Sequence, residues 1–293
     1  NDAMEKAYLA GLAVPVEPTV NMEETFIGKG LAAATYKDKL LGYPFYFETS
    51  SLLYNKTYLR DLAVAQLTQE QEEAAAQEAQ ENADSESGDA AQSSSDTGGA
   101  DAAQSSSNTG SSDTATDSSD SQTTEADEEE SPFTEEQIEA KIQEYLPKTI
   151  EDIQTFGDMY DAPEQVESVF KWDVTDIFYN YFFIGNAINM GGASGWDTEQ
   201  VDIYNLNAIQ SMTAYQNLNN FFSIDTSAIS YESTLNDFME GKVVFTVATS
   251  DAVATLEQAK QDGTFAYEYG FVTTPSFKEE ESSSSLSVTN CVA

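Results

Sequence analysis

From Leu67 to Pro132 the chain offers almost nothing from which a core could be built. The segment is Glu, Gln and Ala, then Ser, Asp, Thr and Gly, with 18 acidic residues and no Lys or Arg. No aromatic residue occurs between Tyr58 and Phe133. Such a stretch cannot bury enough apolar surface to offset its ordering entropy. It also contains a near-repeat, AAQSSSDTG at 90–98 and AAQSSSNTG at 102–110. Residues 67–132 therefore read as a disordered, acidic, low-complexity insert. Its first part, Gln66 to Gln80, is rich enough in good helix formers to prolong a preceding helix. Folding has to be carried by residues 1–66 and 133–293.

Those two stretches have the material for it. The chain holds 16 Phe and 15 Tyr in 293 residues, enough for one large or two ordinary domains. Its charge is one-sided, 52 acidic residues against 12 basic, and 34 of the acidic ones lie outside the insert. A surface of that sign repels nucleic-acid phosphates and anionic membranes, so nucleic-acid binding is excluded. There is no His, which removes Ser-His and Cys-His nucleophile pairs and imidazole metal sites. The single Cys, Cys291, forbids an internal disulfide and reads as a small buried thiol. No run approaches the roughly 20 apolar residues of a membrane helix. A carboxylate pair acting as acid and base stays open on composition, but Asp and Glu are too abundant here to be specific for it, and the expectation is a chain with no catalytic residues, no metal and no cofactor.

Periodicity supplies a coarse map. Asp2 to Leu12 reads as a helix running into Gly11. Lys37 to Tyr54 reads as interior strands, with a break or edge at Pro44. Thr134 and Gln137 form a capping-box pattern, followed by the stripe Ile138, Ile142, Leu146 and a stop at Pro147. Thr149 is the next N-cap. Asp176 to Met190 reads as a buried aromatic helix closed by Gly191-Gly192. Gln200 to Phe222 reads as a long amphipathic helix with Ile209, Met212, Leu218 and Phe221 on its apolar side. Leu235, Phe238 and Met239 fall on a short helix stopped by Gly241. Lys242–Val247 and Tyr269–Val272 read as strands. Between them a helix capped by Thr249 or Ser250 carries Val253 and Leu256. Helices alternating with short strands imply an α/β sheet layered by helices.

Four stretches, in order, carry a family resemblance: NDAMEKAYLAGLAVPV, GYPFYFETSSLLYNKTYL, LPKTIEDI, and LNDFMEGKVVFTVATSDAVATL followed by YEYGFVTTPSF. With the insert excised they resemble the family 1 extracellular solute-binding proteins of ABC transporters, the group that includes maltose-binding protein. The Tyr-Pro, Glu, Tyr-Asn-Lys block is the most specific of the four. The resemblance implies an α/β, periplasmic-binding-protein-like two-lobe fold of type II, incomplete at both ends. Residues 1–47 would belong to the first lobe, 48–66 to the crossing, 133–280 to the second lobe and 281–293 to a strand returning to the first. It implies capture of a sugar or oligosaccharide in an interlobe cleft, delivery to ABC permease subunits, and no enzymatic activity. By analogy it implies a monomeric extracellular lipoprotein of a Gram-positive bacterium, with the anchor outside this chain.

Sugar recognition uses carboxylates to accept hydroxyl hydrogens and flat aromatic faces to cover the apolar side of a pyranose. Glu48 is the first candidate, because an ionised carboxylate in an apolar crossing strand needs a partner. It matches the family's cleft glutamate, and Tyr46 beside it could line the same cleft, as could Tyr43. Asp2 matches the aspartate opening the family's first of these helices, although an ordinary cap explains it equally. Asp176 and Tyr179 fall where the family has an acidic residue followed by an aromatic, with Asp173 and Phe178 as rivals. The family often has Gly-Pro-Trp after the strand ending here at Ala248, and that Trp is a sugar platform. This sequence has Thr249-Ser250-Asp251 instead, which argues against a long α-glucan. Asp251 and its neighbours could offer a carboxylate, hydroxyls and helix N–H groups. Trp172 and Trp196 are further stacking candidates, with core packing the alternative.

Overall fold

The computed structural model describes residues 2–26, 28–88, 131–192, 197–279 and 281–292. They fall into two compact units, one of Asn1–Asp61 with Ala140–Ala293 and one of Leu62–Glu139. Among the described residues no helix is long and apolar enough to cross a membrane.

The larger unit is organised by one strand. β3 (Tyr43–Asn55) is 13 residues long and changes partners halfway. Its first half pairs antiparallel with β9 (Ser287–Val292), from Tyr43 opposite Val292 to Thr49 opposite Ser287. From Ser50 onward it pairs antiparallel with β7 (Val243–Thr249) and from Leu52 with β8 (Tyr269–Val272). β4 (Ser168–Phe170) joins β7 in parallel, giving the order β4-β7-β3-β8. The break expected at Pro44 is a register shift between Pro44 and Tyr46, where the missing N–H does least harm.

The core follows this division. All seven residues of β7 are buried, as are Leu52, Leu53 and Tyr54 of β3. α9 (Tyr231–Met239) and α10 (Ala252–Gln261) cover one region through Leu235, Phe238, Ala252 and Leu256. Trp172 stacks on Phe170 with ring centres 4.6 Å apart, and Phe183 and Tyr215 close around it. The Tyr-Asn-Lys block has a structural explanation. Tyr54 lies against Gly270, and buried Asn55 accepts the Tyr58 N–H at the start of α4 (Lys56–Gly88). A short hairpin, β1 (Thr35–Tyr36) and β2 (Lys39–Leu40), turns on Lys37 and Asp38 with positive φ.

α1 (Asp2–Leu9) ends before Gly11, whose φ of 71° is left-handed. α2 (Met22–Thr25) and α3 (Gly28–Ala34) follow it. α5 (Glu135–Tyr145) begins at the expected capping box: Thr134 Oγ1 accepts the Gln137 N–H, and Gln137 Oε1 accepts the Thr134 N–H. Ile142 and Leu146 of the predicted stripe are buried in the larger unit, and Ile138 is buried in the smaller. Thr149 caps α6 (Ile150–Met159) in a second reciprocal box with Asp152.

Three sequence expectations change. The aromatic helix α7 (Ile177–Ile184) ends at Gly185, and residues 189–191 form strand β5 (Asn189–Gly191) instead. β5 pairs with β6 (Asp197–Asp202), so the long helix expected from Gln200 starts later, as α8 (Leu206–Phe221) behind the Asn205 cap. On α8 only Leu218 of the four apolar positions named is buried; Ile209, Met212 and Phe221 are exposed. α10 is entered at Asp251 rather than Thr249 or Ser250, and Val253 on it is exposed.

The second unit contains the rest of α4. That helix runs to Gly88, so residues 67–88, read from composition as part of a disordered insert, are helical. Glu, Ala and Gln propagate a helix already nucleated by an anchored first turn. Gln66 to Glu70 and Gln69 to Glu73 side-chain bonds support it at i, i+4 spacing. From Thr68 to Gln80 every residue is exposed. The remainder of the insert, 89–130, lies outside the described residues.

Candidate functional site

β4 and β7 run parallel, and the chain leaves both at the same end. Loops at the carboxyl ends of such strands are where open α/β sheets place ligands. Past β4 the chain reaches Asp173, Asp176 and Tyr179. Past β7 it reaches Ser250 and Asp251. Three residues singled out in the sequence, Asp176, Tyr179 and Asp251, are thus brought together here.

Tyr231, the first residue of α9, joins them. Its ring lies parallel to that of Tyr179, at 10° with centres 4.6 Å apart. Its hydroxyl is 2.8 Å from Thr249 Oγ1, and that hydroxyl also bonds the Asp251 carboxylate. Asp173 is 6% exposed and holds the arrangement from behind. One of its carboxylate oxygens accepts the Thr175 N–H and hydroxyl at 2.8 and 2.6 Å, and the other accepts the Tyr231 N–H at 3.0 Å. A carboxylate at the N-terminal turn of α9 also suits that helix's dipole. Asp176 is exposed and caps α7 by accepting the Phe178 N–H at 2.8 Å. Capping leaves acceptor capacity on that carboxylate. Asp251 makes no cap bond to α10, so its carboxylate is committed only to Thr249 among the bonds just described.

The electrostatics follow from this packing. Burial pushes the Tyr179 hydroxyl above the ordinary tyrosine range, and Tyr231, Asp176, Asp251 and Asp173 push it the same way. Tyr231 is raised chiefly by burial, against the lowering effect of its bonds to Thr249. Both hydroxyls stay protonated at neutral pH, so a neutral stacked pair of rings stands beside ionisable carboxylates.

The middle of β3 stands next to this cluster. Thr49 accepts the Ser250 N–H at 3.2 Å, and Ser50 lies directly opposite Thr249. Glu48 is partly exposed and faces Val288 across β9. Strand alternation puts Glu48 on the same face as Ser50, and so on the face of Thr249. Tyr46 is half exposed and meets Phe45 edge to face. Tyr43 reaches back to the Glu17 carbonyl. Asp2 opens α1, and its side chain lies outside the described residues, as does Trp196. Trp172 is fully buried and donates its indole N–H to Asn180 Oδ1, which makes it core rather than a platform. Phe178 is half-buried, edge-on to Tyr179.

Sequence reasoning missed Tyr231. Its only signal is a position just after the Ser230 cap, which many core aromatics share. Recesses of about 610, 240 and 460 Å³ lie elsewhere, at residues 144–159 with 277–279, at 222–229 beside Lys171, and at 186–189 with 202–207. None of the three is lined by Asp176, Tyr179 or Asp251.

No protein-family model and no curated relative matches the sequence. Solved structures do. A cyclo/maltodextrin-binding protein complexed with maltotetraose superposes with a TM-score of 0.57 at 14% identity, covering 98% of this chain and 52% of that one. An extracellular solute-binding protein from Staphylococcus aureus in complex with maltose gives a TM-score of 0.53 at 16% identity, covering 92% and 49%. The chain spans about half the length of the structures it matches. At this identity the likeness shows the fold: mixed α/β, of the two-lobe periplasmic-binding-protein type found in maltodextrin-binding solute-binding proteins.

Proposed function

We propose that the protein is an extracellular solute-binding protein that captures a sugar or oligosaccharide and hands it to the permease subunits of an ABC importer. The observation that carries this is the assembly of Asp176, Tyr179, Tyr231 and Asp251 at the carboxyl ends of β4 and β7, beside the strand on which Glu48 stands. Carboxylates that accept from hydroxyls, next to aromatic rings, are the chemistry a pyranose requires. Two structures of the same fold have sugars bound. The role is binding rather than catalysis, performed by a monomeric lipoprotein on a Gram-positive surface. A ligand bound more tightly by one arrangement of β3 and its partners would shift the population toward it, which is how capture could be signalled.

The test is isothermal titration calorimetry of the intact protein against mono- and oligosaccharides, with amino acids and short peptides as controls. Saturable binding of at least one sugar at micromolar Kd is expected. Binding confined to peptides or amino acids, or hydrolysis of a bound glycan, would overturn the reading.

A further inference from the structure

We infer that this site selects against anionic saccharides, binding uncharged sugars and rejecting uronate-bearing ones. The inference rests on the sugar-binding reading above. The formal charges acting on Tyr179 are all carboxylates: Asp176, Asp251 and Asp173. Asp176 and Asp251 are exposed, where a ligand would meet them. Glu48 adds a fourth acid on the Ser50 face of β3. The nearest base along the chain, Lys171, is committed to Asp237 at 2.5 Å. A sugar hydroxyl can donate to these groups. A ligand carboxylate is acceptor only and would set acceptor against acceptor as well as charge against like charge.

An independent mark of a ligand lies on the same face. Ser50 is 3% exposed, and its Oγ finds no hydrogen-bond partner among the described residues. It stands directly opposite Thr249, so its hydroxyl points to the side where the Thr249 hydroxyl joins Tyr231 and Asp251. Buried hydroxyls are nearly always bonded. A ligand hydroxyl, or a water that it holds, completes the set at this place.

The experiment compares maltotriose and cellotriose, each with its own C6-oxidised carboxylate form, by calorimetry on the intact protein. Oxidation keeps the stereochemistry and adds charge. Measurements are made at about 20 and about 500 mM NaCl, because a charge effect is screened and a shape effect is not. The oxidised form of whichever trisaccharide binds is expected to bind roughly tenfold more weakly at low salt, the scale of one partly screened repulsion. The gap should narrow at high salt and in the Asp176→Asn/Asp251→Asn double variant. Equal affinity for the two forms sinks the inference and leaves the sugar-binding reading intact. So does a gap that neither salt nor the double variant alters. If neither neutral trisaccharide nor any sugar of the wider panel binds, both fall together.

Discussion

Asp173 is the side chain whose removal should do most damage to the site without touching a ligand. Its carboxylate is almost fully buried and collects three bonds, two from Thr175 and one from the Tyr231 N–H. Asp173→Ala deletes all three. Bonds to a charged acceptor contribute about 1.5–3 kcal/mol, and a part-buried N–H left without a partner adds its own desolvation penalty. Thr175 is exposed and can recover bonds from water, so most of the loss falls on Tyr231. The expected cost is about 3 kcal/mol. Asp173→Asn keeps one oxygen and should cost about half as much. Urea denaturation followed by Trp fluorescence suits the measurement, because Trp172 is adjacent and buried. With a slope of about 2–3 kcal/mol per molar urea, the midpoint should fall by about 1 M in the Ala variant. A loss under about 1 kcal/mol would refute the argument that this carboxylate ties the Thr175 turn to the start of α9. An Asn variant as damaged as the Ala variant would mean that packing, not hydrogen bonding, is what Asp173 supplies.

Glu48→Ala should weaken sugar binding by about 1–3 kcal/mol, the value of a lost hydrogen-bond acceptor, read by calorimetry; unchanged affinity removes Glu48 from the site. Gly185→Ala should destabilise the fold by about 1–3 kcal/mol, because the added Cβ meets the Ser284 hydroxyl at 2.6 Å as well as the Tyr181 ring; a neutral effect in urea titration would show that the segment after β8 yields freely. Asp61 is raised above its ordinary value by burial, against the lowering effect of Arg60. Folded protein therefore holds that proton to higher pH than unfolded chain, and stability declines as pH rises from the unfolded value through the folded one. Asp61→Asn should remove that decline. It should also lower the Tyr160 pKa, which burial first and Asp61 second push up to about 12; ultraviolet titration of tyrosinate absorbance that leaves Tyr160 unmoved would contradict the coupling.

What the sequence made legible were features in which local chemistry and tertiary packing agree. Thr134 with Gln137 and Thr149 with Asp152 satisfy backbone donors that any helix start leaves open, so the pattern alone places the helix. The apolar run of β7 reads as a strand because both of its faces are buried. The β5–β6 hairpin was illegible for the converse reason. Its residues 197–202 read DTEQVD, and most of the hairpin is exposed, so no apolar alternation marks it and the run passes for the front of a helix. Over residues 67–88 composition reports the lack of a core, whereas a solvated helix needs none once its first turn is fixed, so the helix formers of Gln66 to Gln80 were the better guide. The site divides in the same way. Asp176, Tyr179 and Asp251 could be named because they fall where the resembled family has an acidic residue followed by an aromatic, and where its Gly-Pro-Trp is replaced. Tyr231 could not, because only the parallel pairing of β4 with β7 brings the start of α9 beside Tyr179. A site assembled from several loop ends is therefore visible in sequence as scattered residues, Asp176, Tyr179 and Asp251 among them, and the second ring of its stacked pair appears only when the topology is known. That asymmetry makes a Tyr231→Phe and Tyr231→Ala pair the sharpest separation of roles. Phe keeps the stacked ring and loses the hydroxyl's two bonds to Thr249, one with its side chain and one accepted from its N–H, so sugar affinity should drop less than tenfold. Ala also removes the ring that stacks on Tyr179 and should drop it further. Equal loss in both would mean that the hydroxyl network with Thr249 and Asp251, not the ring face, carries recognition.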